Sequence, residues 1–80
     1  MKLIMQYDTR VGTFYIKQSQ DGRFHPIFNG QDLGSYAKLW QASEDLANND
    51  TISVSHPKTG KLLDTSEFGI PENSTEWNMQ

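Results

Sequence analysis

Few residues in this chain are suited to chemistry, and they are scattered. There are two histidines, His25 and His56, four aspartates of interest at Asp21, Asp32, Asp50 and Asp64, and a serine after glycine in Asp32-Leu33-Gly34-Ser35. A metal centre would draw on the first two groups, since imidazole and carboxylate are the N and O donors that zinc and calcium take. Their spacings follow no ligand pattern. His25 reads as a surface residue facing Lys17, and His56 as a loop residue before Pro57. Neither a metal nor a cofactor is expected. Ser35 follows Gly34 and precedes Tyr36, and the nucleophile-elbow pattern is missing. The glycines Gly12, Gly22, Gly30, Gly34, Gly60 and Gly69 are spread over turns and form no phosphate-cradling loop ahead of a helix. A catalytic carboxylate pair needs a cleft that raises one pKa, and a domain this small rarely encloses one. The chain is therefore read as not an enzyme.

The bulk composition narrows the classes further. Eighty residues make one domain, and a chain of this size buries roughly 60% of the surface its unfolded form exposes. Hydrophobic residues are 35% and aromatic residues 11%, so large rings must carry much of the core. Ten acids against seven bases give a net charge of −3, which does not favour attraction to phosphate backbones or anionic lipid. Without cysteine there is no disulfide framework and no thiolate metal site. The opening Met1-Lys2-Leu3-Ile4-Met5 is too short for a signal-peptide core, and no apolar run reaches the length of about 20 residues that spans a bilayer. The expectation is a cytoplasmic protein with no membrane partner. Asn73-Ser74-Thr75 matches a glycosylation acceptor, read as incidental in the absence of a secretory signal.

The elements that position these residues centre on Gly12 to Leu46. Thr13-Phe14-Tyr15-Ile16 is aromatic and β-branched and forms the first secure strand. The following loop decides which side chains share a face, because a shift of one residue reverses the pairing. A two-residue Asp21-Gly22 turn sets Phe14 and Ile16 beside His25 and Ile27. A three-residue Gln20-Asp21-Gly22 loop, with Gly22 in the left-handed position, sets them beside Phe24 and Phe28. The second register gathers the phenylalanines and is preferred. Asn29-Gly30 signals a type I′ hairpin into a third strand, Gln31 to Tyr36, with Leu33 on the phenylalanine face. Pro26 falls in the middle strand, so a bulge or a lost hydrogen bond is expected there.

A helix is expected from Lys38 to Ala47, with Leu39, Ala42, Ser43 and Leu46 on one stripe and Asn48-Asn49-Asp50 stopping it. Leu3 to Tyr7 reads as a short edge strand or a segment packed over the domain's end, and Thr51 to Ser55 as a fourth short strand. Asp64-Thr65-Ser66-Glu67 has capping-box spacing and predicts one helical turn. The fold class is α+β. A three-stranded antiparallel sheet, with room for extra short edge strands, is packed on one face by a single α-helix, and the C-terminal segment is irregular. Residues 1–70 form a single β-β-β-α domain with a C-terminal extension, and residues 71–80 a flexible tail.

With one face committed to the core, function is expected on the other. Tyr15 and Ile27 would form an exposed aromatic-aliphatic pair there, and with His25, Trp40 and Trp77 they make the protein-binding candidates. Folding of the C-terminal segment over this patch, through Ile70 and Trp77, is the structural alternative. A weaker possibility is nucleic-acid binding through Lys17, Arg23 and His25, basic groups beside aromatic rings on a sheet. The favoured reading is a non-enzymatic binding or accessory domain whose partner is another protein or a second copy, with nucleic acid disfavoured.

The run Gly22-Arg23-Phe24, then Asp32 to Tyr36, Leu39 to Leu46, and Leu63 to Pro71 resembles small uncharacterised bacterial proteins with the same pattern, a likeness that implies no activity. Residues 12–46 are also similar, at fold level, to the three-strand-plus-helix DNA-binding domains of plant ethylene-response factors and phage integrase arms. That likeness implies DNA contacts from strand arginines and lysines. Here the matching strands offer Lys17 and Arg23, with Pro26 and an acidic total.

Overall fold

The computed structural model describes residues 1–79. It has the strands β1 (Lys2–Thr9), β2 (Gly12–Gln18), β3 (Phe24–Phe28) and β4 (Gln31–Asp32), then helix α1 (Leu39–Ala47). The short strands β5 (Val54–Ser55) and β6 (Leu62–Leu63) follow, and β7 (Asn78–Met79) closes the chain after 3-10 turns at Thr65–Phe68 and Ser74–Glu76. The main sheet is antiparallel in the order β4-β3-β2-β1-β7, and β5 and β6 form a separate two-stranded sheet. The architecture is α+β, with α1 packed on one face of the sheet.

Register follows from the two loops. Gly22 takes φ 85 and closes the turn with its N–H on the Ser19 carbonyl at 2.9 Å, while the Ser19 amide reaches the Arg23 carbonyl at 2.9 Å. Phe14 therefore stands opposite Phe28, Tyr15 opposite Ile27 and Lys17 opposite His25. This is the register of the three-residue loop. Asn29 (φ 51) and Gly30 (φ 77) make the type I′ turn between β3 and β4.

Pro26 explains why the third expected strand, Gln31 to Tyr36, is realised only as Gln31–Asp32. The Leu33 amide donates to the Pro26 carbonyl at 2.8 Å, but Pro26 has no N–H to return. The ladder breaks there. It resumes once, one residue out of step, where Phe24 and Tyr36 exchange two 2.8 Å backbone bonds. On its other side Pro26 faces Ile16, and the Tyr15/Ile27 and Lys17/His25 pairs on either side carry the β2 ladder.

The inner face collects Met5, Phe14, Ile16, Pro26, Phe28 and Leu33, all buried. Phe14 and Phe28 stack with centroids 4.2 Å apart. Ala42, Ser43, Leu46 and Ala47 of α1 are buried against this layer, and Asn49 (φ 60) ends the helix in the left-handed conformation. Thr51 to Ser55 contributes only β5, and the Asp64 cap yields the 3-10 turn, with its carboxylate accepting from the Ser66 amide.

Two expectations are corrected. Leu3 to Tyr7 lies inside β1, which is an interior strand between β2 and β7, because the two-residue turn at Arg10-Val11 folds it back along all of β2. The C-terminal residues expected as a flexible tail are built into the fold up to residue 79. Ser43 Oγ donates to the Glu72 carbonyl at 2.8 Å, Trp77 Nε1 donates to the Pro71 carbonyl at 2.9 Å, and Met79 pairs with Met5. Upstream, Thr65 Oγ1 donates to the Leu46 carbonyl and so caps the end of α1. Trp77 is 3% exposed, and its ring lies 5.8 Å from that of Tyr7.

Trp77→Ala should therefore lower folding stability by about 3 kcal/mol, as for large core aromatics. Urea unfolding checks this, and a loss below about 0.5 kcal/mol would mean that the segment is only loosely attached.

Candidate functional site

Strand alternation puts Tyr15, Lys17 and Ser19 of the β2 side, His25 and Ile27 of β3, and Asp32 of β4 on the face opposite the core. Tyr15 and Ile27 are half-buried by their neighbours and lie outside the core cluster. The Lys17 ammonium sits 5.7 Å from the centre of the Tyr15 ring. Beside Tyr15, at the end of the strands away from Ser19, a hollow of about 210 Å³ opens between Val11, Thr13, Phe28, Asn29 and Pro57.

His25 is the polar centre of the face. Its Nδ1 lies 3.0 Å from Asp32 Oδ2, and its Nε2 lies 3.2 Å from Ser19 Oγ. Asp32 Oδ1 in turn accepts from the Gly34 amide at 3.0 Å. At the far end, Ser19 Oγ donates to Asp21, and this bond is the main reason the Asp21 carboxyl is held below the usual carboxylate range. Asp21, Ser19, His25 and Asp32 thus form one polar chain from the hairpin loop to the sheet edge. The surface reading of His25 anticipated its pairing opposite Lys17 but missed Ser19 and Asp32. The missing signal was the register itself, since the two loop lengths together put Ser19, His25 and Asp32 on one face.

The remaining candidates lie elsewhere. Arg23 reaches round the sheet edge to Ser35, with Nη2 donating to the Ser35 carbonyl at 3.0 Å. It lines a cleft of about 330 Å³ with Tyr36, Trp40, Gln41, Glu44 and Asp45. Trp40 is 55% exposed there. Neither Lys17 nor His25 lines this cleft, so the three basic candidates do not converge on it. Trp77, expected as a binding residue, is corrected to a core residue because Tyr7 and the Pro71 carbonyl take up its ring and its N–H. Among the described residues no cluster of histidines and carboxylates is placed to hold a metal ion. No described helix is long and apolar enough to cross a membrane.

In the same cleft the Tyr36 hydroxyl is pushed up to about 12, first by burial, then by its hydrogen bond to Asp45, and last by the charges of Asp45 and Asp50. No family model, curated protein or solved structure matches the chain.

The Tyr36 shift has a pH consequence with a definite sign. A folded-state pKa above the unfolded value of 10.0 means that its contribution is complete below pH 10 and is lost as pH rises towards about 12. Tyr36→Phe should remove that part of the alkaline loss, read as a flatter urea midpoint against pH over this window. Parallel curves for the two proteins would show that Tyr36 is not its source.

Proposed function

We propose that this chain is a small protein-binding module that contacts its partner through the outer face of the sheet, around Tyr15 and Ile27. The observation that carries this reading is that the cover lies on the other side. Ala42, Leu46 and Ala47 of α1, with Ile70 and Trp77, belong to the core cluster, Phe68 of the first 3-10 turn packs against it, and Tyr15 and Ile27 belong to neither group. The C-terminal segment, the one piece of chain expected as an intramolecular lid, is spent on the inner side.

The make-up of the face suits a polypeptide. An aromatic-aliphatic centre is bordered by Lys17, Asp8, His25 and Asp32, which matches the pattern of apolar centre and polar rim in protein interfaces. The hollow between Tyr15 and Pro57 has room for one partner side chain. Tyrosine is among the residues that concentrate binding energy at such centres.

The test is an amide-shift titration of the labelled protein with fractionated cell extract, using Ile27→Asp as the control. Shifts at Tyr15, Lys17, His25 and Ile27 that Ile27→Asp abolishes are expected. Shifts confined to Trp40 and its cleft, or none in any fraction, would overturn the reading. Mixed-sequence DNA and RNA at low salt, where phosphate attraction is strongest, should leave these amides unmoved.

A further inference from the structure

Ser19, His25 and Asp32 stand in series, hydroxyl to imidazole to carboxylate, at separations of 3.2 and 3.0 Å. They come from the residue after β2, from β3 and from β4, and no local motif joins them. This is the wiring that activates a serine. A carboxylate holds the imidazole with its proton on Nδ1, leaving Nε2 to accept the hydroxyl proton as the oxygen attacks. Asp32 is itself held by the Gly34 amide. Beside Ser19 lies an open cleft of about 360 Å³ lined by Met1, Lys2, Gln18 and Gln20. The amide of Gln20, the residue after the serine, has no acceptor among the described residues, and this leaves it available to a developing oxyanion.

We propose that Ser19 is a nucleophile toward small carboxylic esters, with His25 as general base and Asp32 as the positioning residue. This goes beyond binding, and it assigns an activity that the sequence reading set aside. Ser19 Oγ adds to the ester carbonyl carbon while its proton passes to His25 Nε2. The carbon–oxygen bond to the alcohol then breaks, and the departing oxygen takes that proton, leaving an acyl ester on Ser19. Water repeats the cycle. It gives a proton to His25 and its oxygen to the acyl carbon, and Ser19 Oγ leaves and recovers the proton. The net change is ester and water to acid and alcohol, with no other reactant.

Asp21 sets how often the site is ready. Its carboxylate, with the Arg23 carbonyl 3.2 Å from Ser19 Oγ, competes with His25 for the Ser19 hydroxyl hydrogen, and a hydroxyl turned to either is not activated.

The experiment exposes the intact protein to a fluorophosphonate, follows labelling by mass, and locates the label by peptide mapping. Label on Ser19 is expected, and none in Ser19→Ala. His25→Gln should slow labelling by about 100-fold, the ordinary contribution of a general base. Asp32→Asn should also slow it, Asp21→Ala should quicken it several-fold, and His56→Gln should leave it unchanged. Hydrolysis of p-nitrophenyl acetate should follow the same order, and retained amide dispersion shows that each variant is folded. The proposal fails if Ser19 stays unlabelled in both the wild type and Asp21→Ala, or if His25→Gln labels at the wild-type rate.

Discussion

Side chains on a strand alternate with a period of two, so a one-residue change in loop length exchanges the faces of everything beyond it. In this molecule that constraint acts at the Ser19 to Arg23 loop. Gly22, in the left-handed region, lets the chain turn with three residues between Ser19 and Arg23, and Phe14 then stands opposite Phe28 instead of Asn29. The Phe14–Phe28 stack, the seat for α1 and the separation of Tyr15, Lys17, His25 and Ile27 from the core all depend on that parity. The same count brings Ser19 and His25 to one side. Core and candidate site are consequences of a single turn.

What was legible in the sequence was local, or one hairpin away. The choice of loop, the Asn29-Gly30 turn, the Ala42-Ser43-Leu46 stripe, the Asn49 stop and the disruption at Pro26 each rest on residues within a few positions of one another. Trp77 was not legible. Its place depends on Tyr7 at the other end of the chain and on the Pro71 carbonyl, and a polar C-terminal stretch with one large ring gives no periodicity to read. The same holds for β1, whose apolar run is too short for periodicity to distinguish an interior strand from an edge, and whose β7 neighbour is two residues long. The contact of His25 with Ser19 and Asp32 lay between these cases. It follows from two turns combined, neither of which points to it alone.

The C-terminal segment changes what the rest of the surface is free to do. Ser43 and Thr65 are the buried polar side chains of this region, and both donate to backbone carbonyls that join the segment to α1. Satisfying buried groups in this way keeps the irregular chain on the inner layer, because releasing it would take the Glu72 acceptor from the buried Ser43 hydroxyl and the Thr65 donor from the Leu46 carbonyl. The segment works as a second covering layer beside a nine-residue helix that is too short to cover a five-stranded sheet alone. The outer face around Tyr15 and Ile27 lies outside the core cluster that this segment joins.

Pro26 has one further effect, on how copies of the chain behave toward one another. By ending the β3–β4 ladder after two residues, it denies the outer edge of the sheet a row of free amides and carbonyls. A long flat edge is a template on which a neighbouring molecule adds a strand, and proteins guard such edges with prolines, bulges and short strands. The missing N–H of one buried proline thus serves as protection against edge-to-edge aggregation on the side of the molecule where Asp32 holds His25.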